Sequence, residues 1–430
     1  MIKKIKSLTN TEEKKRLFSN FLSLSILQGA NYILPLIAFP YLVRVLGVEK
    51  FGLIAFAGAT IAYFNILTDY GFNLTATREI SIYRNNKEKL NEIFSSVMII
   101  KFVLMIVSFL LLLILVFSFD KFKAHYEVFL LTFGMVIGQV LFPQWFFQGM
   151  EKMKYITFLN ILAKVIFTIA IFVFIHKESD YWKVPLINSL GYISAGIAAL
   201  IFIGKEFRLR FKLQKSKILK NYFIDGWHIF ISNIAISLYT VSTTFILGLF
   251  TNNKIVGYYA AADKIRIAFQ GLLGPISQTI YPYIANKVKQ SKDKAIKFIR
   301  KVAVLIGIFS ALISLFIFVF AEFLVNLLLG NGYERSVIVL KIISILPFMI
   351  GLSNVFGIQT MVTFGLKKMF SKILIAGSVL NILLSLVLVP LYQDIGSAIS
   401  VVIIESFITV GMLILLQKNG INLIKGKINV

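Results

Sequence analysis

Long apolar runs recur along this 430-residue chain and constrain its fold more than any other feature. A run of about 20 apolar residues is long enough to cross a bilayer as a helix. Only 15% of the residues are charged, against about 25% in soluble domains. We therefore expect an all-α integral membrane protein with about twelve transmembrane helices. Their predicted ranges are 18–43, 51–73, 93–118, 125–147, 155–175, 182–203, 222–250, 255–284, 300–320, 337–363, 372–390 and 396–416.

The connections between these helices differ in charge. Both termini and the connections on the same side as the termini carry 32 lysines and arginines, whereas the opposite side carries 8. Basic residues concentrate on the cytoplasmic side of membrane proteins, so both termini are predicted to be cytoplasmic. The net charge of +25 then reflects topology. We expect the basic residues to contact membrane lipids and not nucleic acid.

The chain divides into two similar halves. Leu46-Gly47 with Phe51-Gly52 recurs as Leu247-Gly248 with Val256-Gly257, each pair at the first connection of its half. Six helices per repeat give both halves the same orientation, as in parallel-repeat transporters whose substrate site lies between the repeats. We expect two six-helix bundles around a central cavity. The predicted division is a bundle over 1–204, a basic cytoplasmic linker over 205–221 and a second bundle over 222–430.

The sequence lacks the motifs of several kinds of catalytic and cofactor-binding site. The chain has no cysteine and three histidines far apart in sequence, so thiolate chemistry and a metal site are not expected. It also has no phosphate-binding loop and no dinucleotide fingerprint. We therefore predict a protein without cofactors that is not an enzyme. A membrane-embedded polymerase or glycosyltransferase is the enzymatic alternative, and no nucleophile–base constellation supports it.

Four stretches resemble a known family. The run Phe142-Pro143-Gln144-Trp145-Phe146-Phe147-Gln148-Gly149-Met150-Glu151-Lys152-Met153 is similar to the junction of helices 4 and 5 in Wzx-type polysaccharide and O-antigen repeat-unit flippases. These belong to the multidrug/oligosaccharidyl-lipid/polysaccharide exporter superfamily. The other three stretches resemble the first hairpin and the seventh and eighth helices of these flippases; they are 35–52, 225–240 and 256–264.

The resemblance implies a function in the bacterial inner membrane. The expected substrate is an oligosaccharide repeat unit linked to undecaprenyl pyrophosphate, moved from the cytoplasmic to the outer leaflet. A polysaccharide polymerase and a chain-length regulator are the implied protein partners. The alternative within the superfamily is a cation-coupled multidrug exporter. A drug-cation exporter needs acids facing its cavity, whereas a flippase for a pyrophosphate needs bases.

Polar residues inside the predicted helices are candidates for such a cavity. Lys164 lies deep in helix 5 on one face with Thr157, Asn160 and Thr168, and a membrane-buried lysine needs water or an anion. Helix 7 carries a similar stripe that includes Asn233, and helix 1 contributes Gln28 and Asn31. The hydroxyl groups alone are also explained by hydrogen bonds between helices.

The remaining deep charges lie in helices 3, 8 and 12. Asp263 and Arg266 share a face of helix 8 and are spaced for an i, i+3 pair, whereas Lys264 points about 200° away from Arg266. Lys101 either faces the cavity or reaches to the interface. Glu405 either pairs with a lysine or carries a coupling proton. Four bases against two acids predict a cationic cavity that attracts pyrophosphate.

The candidate set for the site is thus ten residues. Those predicted to bind substrate are Lys164, Arg266, Lys101, Lys264, Asn160, Asn233, Gln28 and Asn31, and those predicted to couple transport to an ion are Glu405 and Asp263.

Overall fold

The computed structural model describes residues 12–423 and 427–428, and these are helical almost throughout. The side chain of Asn31 lies outside the described part, so its predicted role has no structural counterpart here. The helices in the first part of the chain are α1 (Glu12–Asp69), α2 (Phe72–Ile82), α3 (Lys87–Ser118), α4 (Asp120–Lys123), α5 (Tyr126–Leu141), α6 (Gln144–Gly149), α7 (Met153–Phe174), a 3₁₀ turn (Glu178–Asp180), α8 (Lys183–Glu206) and α9 (Ser216–Thr240).

The second part continues in the same way and ends in a small hairpin. Its elements are α10 (Ser242–Phe250), α11 (Asn253–Gln270), α12 (Leu273–Gln290), α13 (Lys292–Val319), α14 (Ala321–Leu328), α15 (Glu334–Ile343), α16 (Leu346–Asn354), a π-helical segment (Val355–Val362) and α17 (Lys367–Lys418). The hairpin pairs β1 (Ile421–Asn422) with β2 (Lys427–Ile428) in antiparallel register, with Ile421 opposite Ile428.

All twelve predicted segments are helical over most of their length. Within the described residues, eight helical stretches are long and apolar enough to cross a membrane, and two of these, Ile26–Ile82 and Lys367–Lys418, are long enough for two crossings. The predicted seventh and eighth spans fall within 216–250 and 253–290. They are helical but are not among the eight. The chain is a multi-pass membrane protein.

The two longest helices each contain a break. In α1 the break is at Gly47, whose φ of 69° belongs to the left-handed region that glycine adopts without strain. In α17 the break is at Gln393, with φ 55°. The adjacent Asp394 is fully buried and takes a bidentate ion pair from Arg335, with Nη2 at 2.6 Å from Oδ1. Charge-assisted bonds of this kind hold the turn in place.

The described chain separates into two compact units. The first consists of residues up to Leu46 and of Ala57–Ile234, and the second of Gly47–Phe56 and Ala235–Val430. In the first unit, Trp145, Phe146 and Phe147 are completely buried in the hydrophobic core. The Thr77 hydroxyl of α2 donates to the Trp145 carbonyl at 3.1 Å. The Trp-Phe-Phe motif therefore packs the core around the predicted helix 4–5 junction.

The two copies of the glycine motif pack against each other in the second unit. A Cβ added to Gly52 would lie 1.8 Å from the Asn253 carbonyl oxygen, and one added to Gly257 would lie 2.0 Å from that of Val48. Small residues let helix backbones approach this closely. The internal repeat noticed in the sequence thus forms a reciprocal helix contact.

Residues 207–215 of the predicted linker run in an irregular path along α3 in the first unit, whereas its ends are helical. The backbone N–H of Arg210 donates to Asn91 Oδ1 at 2.8 Å, and that of Lys212 donates to Ser95 Oγ at 3.0 Å. Phe207 packs edge-to-face on Phe146, with ring centroids 5.0 Å apart. The segment is therefore tied to the first unit by specific bonds as well as being basic.

Candidate functional site

A cavity with a volume of about 370 Å³ lies in the second unit. This volume is within the range of about 300–1,000 Å³ that is typical of ligand pockets. Its walls come from α10, α11, α16, the π-helical segment and α17. The polar lining residues are Thr243, Thr244, Tyr259, Asp263, Arg266, Gln270, Ser353, Asn354 and Glu405; the apolar ones are Leu346, Ile350, Ile358, Phe370, Leu374, Val401, Ile408 and Met412.

Arg266 is the base on this wall and it is already engaged. Its Nε and Nη2 atoms both lie 2.7 Å from Oδ1 of Asp263, one turn earlier on α11. Its Nη1 donates to Oε1 of Gln270, one turn later. The residue is 9% exposed. The predicted i, i+3 pair is therefore formed, and it neutralises the guanidinium within its own helix.

Glu405 of α17 is a second acid on the same cavity. It is 6% exposed and makes no hydrogen bond or ion pair to any residue that the structure describes. Among the described lining residues, two acids thus face one base. The sequence predicted an excess of bases over acids among the deep charges. This cavity brings together Arg266, Asp263 and Glu405, and it does not share that excess.

One part of the cavity wall belongs to the π-helical segment, a feature frequent at functional sites. It begins after Asn354, whose Oδ1 accepts a hydrogen bond from the Ser277 hydroxyl at 2.5 Å. The Gln359 amide donates to the Ser277 hydroxyl at 2.9 Å and to its carbonyl at 2.8 Å. Ser277 of α12 therefore fixes the position of Asn354 at the cavity wall.

Lys264 is separated from the cavity. It is exposed on α11, while Arg266 two residues later lines the cavity. This agrees with the angular argument that the two cations point in opposite directions.

Lys101 has a partner that the sequence did not indicate. Its Nζ lies 3.9 Å from Oδ1 of Asp69 in the first unit, and the lysine side chain is 2% exposed. Asp69 is the last residue of α1, and its side chain is 15% exposed. Because Asp69 supplies the counter-charge, the burial of Lys101 is explained without a bound ligand.

The polar stripe of predicted helix 5 lies on α7. Lys164 and Asn160 are half-buried, and both Thr157 and Thr168 are buried. Thr157 donates to the Ser23 carbonyl of α1 at 2.9 Å, and the Asn160 amide donates to the Ile156 carbonyl of its own helix at 2.8 Å. Part of this stripe therefore serves helix packing. Gln28 and Asn233, also half-buried, belong to the same unit.

Sequence reasoning missed the wall that α16 contributes. Ser353 and Asn354 are common residue types in membrane helices and carry no charge to draw attention. Their signal was Pro347 followed by Gly351 and Gly357, which marks an irregular helix. Gly357 contacts two lining residues, since a Cβ there would lie 2.6 Å from the ring of Phe370 and 3.0 Å from Sδ of Met412.

Sequence comparisons find a family of polysaccharide biosynthesis proteins and two relatives named as O-antigen transporters. A family model described as "Polysaccharide biosynthesis protein" matches residues 17–288. A protein of Escherichia coli (strain K12) named "Putative O-antigen transporter" is 38% identical over 406 residues, which cover 94% of this chain and 98% of that protein. A protein of Shigella dysenteriae with the same name is 28% identical over 397 residues, covering 92% and 98%.

Solved structures show the same fold at low identity. The lipid II flippase MurJ in an inward closed conformation has a TM-score of 0.68 and 12% identity, covering 93% of this chain and 87% of that chain. An inward-facing multidrug resistance MATE family transporter of the MOP superfamily has a TM-score of 0.66 and 12% identity, covering 93% and 97%. The fold predicted from the sequence and the resemblance to the flippase family are both confirmed. The chain belongs to the polysaccharide biosynthesis protein family.

Proposed function

We propose that this protein is a flippase for lipid-linked oligosaccharide, moving O-antigen or related repeat units on undecaprenyl pyrophosphate from the cytoplasmic to the outer leaflet. The observation that carries the proposal is the match, across nearly the whole chain, to two relatives named as O-antigen transporters. Such a protein transports its substrate by alternating access and does not alter it covalently, so it is not an enzyme.

The proposal includes an orientation and a location. We place the protein in the bacterial inner membrane with both termini in the cytoplasm, where the 32 basic residues of the termini and inner connections meet anionic headgroups. A polysaccharide polymerase and a chain-length regulator are its proposed partners. The halves 1–204 and 222–430, joined by the linker 205–221, are the proposed moving parts.

Two groups of polar residues are the proposed contacts with the substrate. In the first unit, Lys164 is half-buried on α7 beside Asn160, and a lysine in that position supplies a point charge for pyrophosphate. In the second unit, Arg266, Asp263 and Glu405 share the cavity. We retain Gln28 and Asn233 as additional contacts and assign Lys101 to its pair with Asp69.

A multidrug exporter is the second candidate. Two observations favour it: the fold similarity to MATE transporters and the two acids in the second-unit cavity, because acids attract cationic drugs. The relatives favour the flippase, since they match at higher identity over the same length.

A gene deletion tests the choice. Under the proposal, the deletion strain accumulates lipid-linked repeat units on the cytoplasmic leaflet and loses surface polysaccharide, and a plasmid copy restores both. Sensitivity to cationic dyes and drugs should be unchanged. Normal surface polysaccharide together with increased drug sensitivity would instead identify the exporter.

A further inference from the structure

We infer that the second-unit cavity binds the sugar portion of the substrate, through hydroxyl groups, rather than its pyrophosphate. The inference rests on the proposed function and refines it, because it assigns one chemical part of the lipid-linked oligosaccharide to one group of residues.

The charge of the cavity argues against an anion. The guanidinium of Arg266 already has two bonds of 2.7 Å to Asp263 and a third to Gln270. A phosphate that took the Arg266 donors now bonded to Asp263 would leave that carboxylate without its partner. Glu405 on the same wall offers a phosphate no positive charge, and in its ionised form it would repel one.

The polar groups in the cavity suit hydroxyls instead. A hydroxyl group donates one hydrogen bond and accepts others, so it can serve both kinds of partner. Glu405 and Asp263 supply acceptors. Asn354 supplies a donor, because its Oδ1 is occupied by Ser277 and its amide nitrogen has no hydrogen-bond partner within the described chain.

Aromatic and aliphatic side chains complete the cavity. Tyr259 is 3% exposed and lies on the wall with Phe370 and Ile350. Sugar rings have apolar C–H faces as well as hydroxyl edges, so they match a lining in which a few fixed polar groups stand among apolar ones. A pyrophosphate has no such apolar face.

Cysteine protection tests the inference in the whole protein, because the chain contains no natural cysteine. The variant Ile350→Cys places a thiol on the cavity wall, and Lys123→Cys places one at an exposed position in the first unit as control. Both are purified in nanodiscs and labelled with a methanethiosulfonate reagent. The probes are sugar-free undecaprenyl pyrophosphate and the lipid-linked repeat unit extracted from the deletion strain.

The repeat unit at about ten times its dissociation constant should slow labelling of Ile350→Cys about tenfold, whereas sugar-free undecaprenyl pyrophosphate should leave the rate unchanged. The control should be labelled equally in all cases. Adding Asn354→Ala to Ile350→Cys should raise the repeat-unit concentration needed for protection by about two- to tenfold, the effect of one lost hydrogen bond.

Equal protection by the sugar-free carrier would overturn the inference, as would no protection by a repeat unit that the same variant exports in cells. The second result leaves the flippase function standing, because export is measured separately. Failure of the gene-deletion experiment would remove the proposed function itself, whatever the labelling shows.

Discussion

Oδ1 of Asp263 lies 2.7 Å from both Nε and Nη2 of Arg266, on a cavity wall that also carries Glu405. This contact changes what the arginine can do. An isolated guanidinium in a membrane protein would attract a phosphate, whereas a paired one orients its neighbours and leaves the cavity open to neutral, hydroxyl-rich ligands.

The Asp263–Arg266 pair should show strong coupling. Asp263→Asn leaves the guanidinium without its counter-charge and should lower the free energy of unfolding by about 1–3 kcal/mol, seen as a lower thermal midpoint in detergent. The double variant Asp263→Asn/Arg266→Gln should recover most of that loss. Additive effects of the two changes would show that the pair contributes no coupling energy.

The glycine contact between the two repeat motifs should tolerate no side chain. Gly257→Ala would place a methyl group 2.0 Å from the Val48 carbonyl oxygen, so the helices must separate, at a cost of about 1–3 kcal/mol or more. Gly58→Ala in α1 is the matched control, because no atom lies within 4 Å of its added Cβ. Membrane levels and thermal midpoints of the two variants report the difference, and equal behaviour would contradict the reciprocal contact.

Substitution of Lys101 should be tolerated when its partner Asp69 is substituted at the same time. Lys101→Met alone leaves Asp69 buried without a cation and should reduce the amount of folded protein. Lys101→Met/Asp69→Asn removes both charges and should restore protein level and polysaccharide export. A double variant that folds but does not export would return Lys101 to the list of substrate contacts.

Much of the fold was predictable because membrane crossing imposes a length and an apolar composition on each helix. The breaks near Gly47 and Gln393 also fall in predicted connections. The partner of Lys101 was not predictable, since Asp69 lies on a different helix and only tertiary packing brings it within 3.9 Å.

The sequence predicted some of the residues that line the cavity but not others. Helical periodicity placed Asp263 and Arg266 on one face and Lys264 on the other, and the structure agrees. The approach of Glu405 to the same cavity depends on how α17 packs in the second unit, which no local pattern records. Asn354 depends in addition on the irregular helix that follows it.

Lys164 should matter more for export than a lysine at the surface. Lys164→Ala removes a half-buried charge from the polar face of α7 and should sharply reduce surface polysaccharide at normal protein level, while Lys164→Arg retains part of it. Lys341→Ala is the control, because Lys341 is exposed on α15 and water or headgroups replace it. Full export by Lys164→Ala would show that this lysine is not needed for transport and has a structural role only.

Transport by the purified protein tests the central claim most directly. The full chain is reconstituted in liposomes that contain the lipid-linked repeat unit in both leaflets, and a sugar-modifying enzyme added outside measures how much substrate it can reach. We predict that the protein makes nearly all of the substrate accessible without nucleotide, whereas protein-free liposomes protect the inner-leaflet pool. An inner pool that stays protected, with protein that is folded and inserted, would contradict the account.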